Sequence, residues 1–231
     1  MNFKRKNVRA KLSDKAAQTL RVQILSGELK VGQHLVEANL SEELEISNGP
    51  LRDALSILEK EGFVVTLSNG RTIVNEITPR FIDDYLDLSK YFLYTSVKQV
   101  VENTENSEAI QLLLEDLDGC NKELRDNILK GDSRGVNHVD DIFTTAIILA
   151  SGNIMIKNMW FLMDGIRHGM YIVTEKYYND LVISNEELIG NFQRFRDCIA
   201  QKDMDSIKDC IETHYKYRTK AYKDYFAQRS I

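Results

Sequence analysis

Three stretches within the first 60 residues place apolar side chains at the spacing of an amphipathic helix. The first is residues 13–26, where Ser13 is positioned to cap the start of the helix and Gly27 to end it. The sequence VEANLSEELEI predicts a short second helix. The third helix lies in the stretch ISNGPLRDALSILEKEGFV, where apolar residues recur at i, i+3, i+4 and i+7 from Leu51. The pattern therefore predicts three helices joined by brief turns.

The third helix begins with small residues. Ser47 can cap it by accepting a backbone N–H, and Pro50 is tolerated in a first turn because its missing donor has no helical partner there. Gly49 costs backbone entropy in a helix, and a glycine is useful there only if another molecule must approach the backbone closely. The start of this helix is therefore a candidate contact point.

Two β-prone stretches, FVVTL and RTIVN, follow the third helix. They are separated by SNG, whose Asn-Gly pair favours a tight hairpin turn. Three helices followed by a two-stranded hairpin predict a winged helix-turn-helix.

The sequence pattern changes after Thr78 and Pro79. No further proline occurs beyond this point. Long amphipathic segments predict helices near 80–103, 106–130, 133–151, 153–177, 184–201 and 204–228. We therefore expect a mainly α protein: a winged helix-turn-helix domain at 1–76, a linker at 77–80 and an all-α helical bundle at 81–231.

The amino-acid composition limits the kind of protein that this chain can be. The 43% apolar content is that of a globular protein, and the three cysteines are far apart with no C-x-x-C pair. There is no signal-peptide pattern and no stretch of about 18 uninterrupted apolar residues. These features predict a cytoplasmic protein without disulfides, a zinc finger or a membrane span.

Charge is distributed unevenly along the chain. The net charge is −5, but residues 1–75 carry 11 Lys and Arg against 9 Asp and Glu, whereas the remainder carries 19 against 26. The N-terminal basic residues form either a solvated tail or an arm that contacts nucleic acid; they are Lys4, Arg5, Lys6, Arg9 and Lys11.

The stretch ILSGELKVGQHLVEANLSEELEISNGPLRDALSILEKEGFV resembles the winged helix of the GntR family of bacterial transcription regulators. The helical remainder is similar to the FadR-like, FCD-type ligand-binding domain found in that family, chiefly through FTTAIILASGN. The resemblance implies a cytoplasmic homodimer that binds double-stranded DNA at a palindromic operator, senses a small-molecule effector of unknown identity and catalyses no reaction.

In this family the recognition helix begins on phosphates and base edges of the major groove, which would give Gly49 a use. Arg52 occupies the family's arginine position, and its guanidinium could bind guanine; the alternative is a surface ion pair with Glu59 or another acid. Asn48 stands where relatives commonly have an arginine. The DNA-binding residues expected from the resemblance and the hairpin tip are Ser47, Asn48, Gly49, Arg52, Ser56, Gly70, Arg71 and Thr72.

Many relatives bind a divalent metal through an aspartate and three histidines in the helical domain. The corresponding positions here are Asp140, Thr144, Phe192 and His214, so two ligands are lost. Phenylalanine cannot bind a metal ion, and we therefore expect no tightly bound metal and no cofactor. His214 is expected to be a core histidine bonded to a carbonyl or to Asp140.

Relatives often carry an arginine on the first helix of this domain, where this chain has Ser89. The effector pocket is therefore expected to be apolar, with Arg167 either replacing the lost charge or lying at the surface. The expected pocket residues are Ser89, Asp140, Thr144, Arg167, Phe192 and His214.

Two other functions remain open from the residues alone. One is a constitutive DNA-binding dimer whose pocket is filled by its own side chains. The other is an enzyme tethered to DNA, with His138, Asp140 and Asp141 as candidate acid–base groups. Three polar residues in one helical turn are, however, more often a solvent-exposed face of the helix.

Overall fold

The structure is a computed structural model that describes residues 2–103, 107–180 and 184–228, with side chains from residue 10 onwards except 107 and 176–180. Ten helices and one two-stranded antiparallel sheet lie in these ranges. The elements are α1 Asn2–Leu25, α2 Glu37–Glu43, α3 Asn48–Lys60, β1 Val64–Thr66, β2 Thr72–Val74, α4 Pro79–Glu102, α5 Ser107–Lys130, α6 Ser133–Ala150, α7 Ile154–Leu162, α8 Asp164–Asp180, α9 Asn185–Gln201 and α10 Met204–Ala227.

The predicted fold class is confirmed: a winged helix-turn-helix is followed by an all-helical region. The chain divides into two compact units. The first is Met1–Thr78 together with Met163–Val173, and the second is Pro79–Leu162 together with Thr174–Ile231. Among the described helices, none is both long and apolar enough to cross a membrane.

In the first unit, α1 packs along α3 and α2 packs against α3. The buried stripe predicted for α3 is present, since Leu51, Ala54, Leu55 and Leu58 all lie in the core. The four apolar side chains lie on one face of α3, so α3 is an amphipathic helix whose opposite face carries the polar residues.

Two predicted caps differ in the structure. The helix predicted from Ser13 begins at Asn2, so Ser13 lies inside α1 and is buried, with its hydroxyl 3.5 Å from the Asp53 carboxylate on α3. Ser47 occupies the N-cap of α3, but the structure shows no capping hydrogen bond from its side chain. Pro50 stands at the third helical position, where it offers no N–H for such a bond.

The hairpin pairs Val64 with Val74 and Thr66 with Thr72. The loop of the hairpin is longer than the two-residue turn that Asn-Gly favours. Leu67 N–H donates to the Arg71 carbonyl, and Gly70 N–H donates to the Leu67 carbonyl. Gly70 has φ of +80°, the left-handed conformation that follows a type I turn in such loops.

The outer edge of β2 is covered by a neighbouring segment. An isolated bridge joins His34 to Ile73, and Leu35 N–H donates to the Thr72 carbonyl at 2.9 Å. These bonds fix the hairpin to the turn before α2, so the hairpin and the helices form one body.

The second unit is a bundle in which α5 packs on α6 and α9, and α10 packs on α4 and α9. Large buried side chains fill its centre, including Phe143, Trp160, Phe195, Tyr215 and Tyr222. Its described cysteines, Cys120, Cys198 and Cys210, are buried and form no disulfide.

The single helix predicted for residues 153–177 is two helices, α7 and α8, separated at Met163. The residues that begin α8 pack against α1 within the first unit. A Cβ at Gly165 would lie 2.6 Å from Arg21 Cζ, and a Cβ at Gly169 would lie 2.9 Å from Leu25 Cδ1. Small residues thus permit a close helix–helix approach that helical periodicity could not reveal.

Candidate functional site

The polar face of α3 is exposed as a single stripe. Asn48, Arg52 and Ser56 lie four residues apart and are all exposed, with Ser47 exposed just before them. Gly49 is half-buried beside this stripe. Residues at i, i+4 and i+8 share one helical face, so the sequence-predicted contacts on α3 face the same direction.

The stripe borders a cleft of about 220 Å³ between α2, α3 and the hairpin. Three predicted contact residues, Arg52, Ser56 and Thr72, line it. The cleft also contains the carboxylates of Glu59, which sequence analysis named as a possible partner of Arg52, and of Glu37, which it did not name. Glu37 lies in the first turn of α2, and only the packing of α2 against α3 brings it to Arg52.

The Arg52 guanidinium is paired with Glu37. Arg52 Nε donates to Glu37 Oε2 at 2.8 Å, with 69% of the Arg52 side chain and 38% of the Glu37 side chain exposed. The carboxylate of Glu59 is used differently, because its Oε1 accepts from Thr66 N–H at 3.0 Å. The sequence left open an ion pair of Arg52 with Glu59 or another acid, and the structure pairs it with Glu37.

The tip of the hairpin carries the remaining predicted contacts. Gly70 and Arg71 are exposed, and a Cβ at Gly70 would meet nothing within 4 Å. Arg71 N–H donates to Asn69 Oδ1 at 3.1 Å, which orders the turn. Thr72 and Thr66 face each other with their hydroxyls 3.3 Å apart at the cleft side of the sheet.

A second cluster of polar side chains is buried in the helical unit. Asp140 on α6 lies between two side chains of α10: its Oδ1 is 3.1 Å from His214 Nε2, and its Oδ2 forms an ion pair with Arg218 Nη2. All three side chains are at least nine-tenths buried. Neither of these two contacts has the alignment of a hydrogen bond, but the one with Arg218 is the stronger because it joins two opposite charges.

Sequence analysis missed Arg218. It follows His214 by one helical turn on a face of α10 that is otherwise core, with Ile211, Tyr215 and Tyr222 among its buried residues. That spacing was the available signal, but an arginine near the end of a chain is usually exposed. Sequence analysis considered only Arg167 as a replacement for the arginine of relatives, whereas the structure places Arg218 beside Asp140.

Burial sets the charge state of the cluster. It lowers the pKa of His214 from 6.5 to about 4, so the imidazole is neutral at pH 7. Burial also lowers the pKa of Arg218, while Tyr222 and Tyr85 raise it, but a guanidinium stays protonated in proteins. Arg218 therefore supplies the positive charge that balances Asp140.

Two other residues expected at the effector site, Phe192 and Thr144, lie next to this cluster. Phe192 packs edge-on against Phe143, with ring centroids 4.7 Å apart, and lies 5.6 Å from His214. The Thr144 hydroxyl donates to the Asp140 carbonyl at 3.0 Å, so it serves its own helix. Four expected residues, Asp140, Thr144, Phe192 and His214, are thus brought together.

Two expected residues are not part of this cluster. Ser89 is buried on α4, and its hydroxyl donates to the Tyr85 carbonyl at 2.8 Å. Arg167 is buried rather than exposed, pairs with Asp164 at 2.7 Å, and belongs to the first unit. Arg167 therefore does not supply the charge beside Asp140.

The donor set does not suit a metal ion. Within the described ranges, no three His, Cys, Asp or Glu side chains are close enough together to hold one. Thr144 and Phe192 replace two ligands, and the Asp140 carboxylate is already neutralised by Arg218, so a cation would have to displace the guanidinium. His138 is exposed whereas Asp140 is buried, so these residues also do not form one acid–base site.

A winged helix with an exposed polar recognition stripe defines a helix-turn-helix DNA-binding protein. Residues 12–74 match the bacterial regulatory proteins of the gntR family. Residues 12–74 therefore form a helix-turn-helix domain of the GntR type, and the fold and relatives of the chain are those of DNA-binding transcription regulators rather than enzymes.

Full-length relatives support this assignment. The chain is 26% identical to the HTH-type transcriptional regulator McbR of Escherichia coli, over 83% of this chain and 84% of that protein. It is 24% identical to the gluconate operon transcriptional repressor of Bacillus subtilis, over 86% and 84% of the two chains. These identities span both units of the protein.

Solved structures show the same fold. E. coli McbR/YncC superposes with a TM-score of 0.64 at 23% identity, covering 93% of this chain and 98% of that one. A structure described by its role in controlling the Listeria monocytogenes agr system gives a TM-score of 0.60 at 18% identity, covering 91% and 96%. Both establish the architecture of this chain.

Proposed function

We propose that this regulator binds a palindromic operator as a homodimer, with its helical domain sensing a small molecule that sets the spacing of the two winged helices. The proposed domains are 1–76 for DNA binding, 77–80 as linker and 81–231 for effector binding and dimerisation, in a cytoplasmic protein. The two compact units of the structure differ from these proposed domains, because Met163–Val173 belongs to the first unit.

The proposal rests above all on the cleft beside α3, where Arg52, Ser56 and Thr72 converge. A major-groove helix offers its exposed stripe to base edges, and Asn48, Arg52 and Ser56 form that stripe. Ser47 and Gly49 at the start of the helix would meet a phosphate, while Gly70 and Arg71 at the hairpin tip would reach the adjacent minor groove or its phosphates.

Glu37 gives Arg52 a defined orientation in this proposal. The carboxylate engages Nε, so both Nη groups remain for O6 and N7 of a guanine. Because the pair is exposed, it contributes at most about 1 kcal/mol to folding, and its main effect would be on the geometry of recognition.

Two-fold binding follows from the size of the recognition element. One short helix reads too few base pairs for specific binding, whereas two winged helices on half-sites about one helical turn apart reach the usual specificity. Selection of random duplexes with the full-length protein should therefore yield an inverted repeat.

Arg52→Ala tests the contact on that selected operator. We expect a loss of about 1–3 kcal/mol in binding and relaxed selectivity at one guanine per half-site. Arg80→Ala is the matched control, because Arg80 is also an exposed arginine paired with an acid, Asp84, at 3.6 Å. Equal affinities for the Arg52→Ala variant and the wild type would remove Arg52 from the interface.

We further propose that the effector binds near the Asp140–His214–Arg218 cluster. Aromatic rings of Phe143, Phe192 and Phe195 surround it, which favours a ligand with a substantial hydrocarbon part. Mass spectrometry of small molecules that copurify with the protein, followed by thermal shifts with each one, would identify the effector.

A constitutive dimer with a filled pocket is the second candidate. It is favoured by Phe192, whose ring packs on Phe143 and His214, and by the internal pairing of Asp140. Under this alternative no ligand raises the melting temperature of the helical domain, and operator affinity is independent of small molecules.

A further inference from the structure

Two of the three cysteines of this chain meet in the helical unit. Cys198 on α9 and Cys210 on α10 are both buried thiols, with exposed fractions of 7% and 5%. The Cys210 thiol donates to Cys198 Sγ, and the two sulfur atoms are 3.9 Å apart. Cys120 on α5 is equally buried, but it is not part of this pair. Two thiols in contact can be joined by oxidation, whereas a thiol without such a neighbour cannot.

The turn between α9 and α10 holds the pair in place. The helix α9 ends at Gln201 and α10 begins at Met204, so the two helices form a hairpin with a short connection. Lys202 adopts the left-handed conformation with φ of +58°, and Asp203 N–H donates to the Cys198 carbonyl at 3.1 Å. These features fix the register of the two helices and therefore the approach of the two sulfur atoms.

The pair is close to the geometry of a disulfide. A disulfide bond is about 2.05 Å long, so the two sulfur atoms have to approach each other by about 1.9 Å. Rotation about χ1 of each cysteine, together with a small shift of α9 against α10, can supply this movement. A disulfide at this position would therefore draw the two helices together without changing their register.

We infer that Cys198 and Cys210 are an oxidant-responsive pair, which hydrogen peroxide converts into a disulfide that links α9 to α10. One thiolate attacks a peroxide oxygen, the O–O bond breaks, and the sulfur becomes a sulfenic acid. The second thiol attacks that sulfur, the S–S bond forms, and water leaves. Hydrogen peroxide accepts two electrons and the two thiol protons and becomes two molecules of water. A thiol reductant reverses the linkage.

Burial makes this oxidation slow at neutral pH. The pKa of Cys210 is raised to about 12, first by burial and then by Cys198, with Asp209 adding to the shift and Arg194 opposing it. Cys198 lies in the last turn of α9, and helix ends open more readily than helix centres, which gives the oxidant access. The thiolate is the attacking species, so the reaction should become faster as the pH rises.

The link would form next to the buried Asp140–His214–Arg218 cluster. Phe195 precedes Cys198 by one turn, His214 follows Cys210 by one turn, and the two rings lie 6.4 Å apart. A disulfide therefore acts on the two helices that carry these rings and should restrict their separation. The inference requires neither an operator nor an effector, so it goes beyond the proposed function and is tested independently of it.

The first test is mass spectrometry of the native full chain after treatment with hydrogen peroxide and digestion without reduction. We expect a linked pair of peptides containing Cys198 and Cys210, lighter by two hydrogen atoms than the reduced peptides together, which dithiothreitol separates. The rate of linkage should rise about tenfold between pH 7 and pH 8. Cys120→Ala should form the link as the wild type does, whereas Cys198→Ala and Cys210→Ala should not.

The second test is the thermal stability of the oxidised protein. A disulfide that closes a loop with a separation of 12 residues should raise the melting temperature by about 6–12 °C, and dithiothreitol should remove the rise. Hydrogen exchange of amides in α9 and α10 should become slower at the same time. Each variant is compared with its own reduced form, so a loss of stability caused by the substitution itself does not affect the result.

The inference is wrong if the native protein forms no link between Cys198 and Cys210 after prolonged exposure to peroxide, or if the link appears only in denaturant. It is also wrong if links to Cys120 are equally abundant, or if peroxide carries the pair to sulfinic acids instead of a disulfide. A disulfide that forms but leaves the melting temperature and the exchange of α9 and α10 unchanged would refute the proposed effect on the hairpin.

Discussion

Substitution of Asp140 by asparagine removes the counter-charge of a buried arginine and should strongly destabilise the helical unit. Asp140 and Arg218 are almost fully buried, and a guanidinium cannot escape the penalty by losing its proton. Breaking one partner of a buried pair costs about 3–5 kcal/mol. For a protein of this size, about 2–4 °C is lost per kcal/mol, so the melting temperature should fall by about 6–20 °C.

Differential scanning calorimetry of the full chain would measure this loss, with Asp83→Asn as the control. Asp83 pairs with Lys223 of the same helix α10 at 2.8 Å, but about half of each side chain is exposed. Removing that carboxylate should cost at most about 1 kcal/mol. The two substitutions make the same chemical change and differ mainly in the burial of the ion pair.

A compensated double variant separates charge from packing. Asp140→Leu with Arg218→Met replaces the pair by apolar groups and should recover most of the lost stability, because it leaves no buried charge. If Asp140→Asn were no more damaging than Asp83→Asn, the Arg218 guanidinium would be hydrated and our assignment of a dry ion pair would be refuted. If the double variant were as unstable as Asp140→Asn, packing rather than charge would be responsible.

Three further predictions address other parts of the molecule. Gly165→Ala should destabilise the first unit by about 1–3 kcal/mol in urea titrations, because its Cβ would press on Arg21, whereas Gly190→Ala, with open space around it, should be neutral or slightly stabilising. The lowered pKa of His214 means that the unfolded chain takes up a proton below pH 6.5 while the folded chain does so only near pH 4. Its contribution to stability is therefore complete above pH 6.5 and should fall by about 2 kcal/mol between pH 7.5 and 5, a dependence that His214→Gln should remove. Thr144→His with Phe192→His restores the ligand types of metal-binding relatives and should create a zinc site measurable by calorimetry, whereas stoichiometric zinc in the purified wild type would contradict the assignment.

The local patterns of the sequence were sufficient for the elements of the winged helix. The stripe from Leu51 to Leu58 defined the buried face of α3 and, by exclusion, the exposed face that carries Asn48 and Arg52. The SNG sequence identified the hairpin, although not the length of its loop. These features depend on neighbours within one or two helical turns, and such information is contained in the local sequence.

The boundaries of α1 and α8 did not follow from the local sequence patterns. The basic sequence before Ser13 has no apolar stripe, yet α1 starts at Asn2. The apolar pattern of residues 153–177 runs without a break signal across Met163, where the chain passes from one compact unit to the other. Periodicity reports which face of a helix is apolar, but it does not report which unit covers that face.

The charged contacts were decided by the tertiary structure alone. Glu37 meets Arg52 only because α2 packs across α3, and Arg218 meets Asp140 across 78 positions of the chain because α6 and α10 lie in one bundle. A charged side chain at a core-facing position of a helix contradicts the usual pattern of burial. Such a side chain is tolerated in the core only when an opposite charge lies within a few ångströms, and the sequence does not show that partner. The sequence determined the type of each side chain and the direction in which it points from its helix, whereas folding determined which opposite charge it meets.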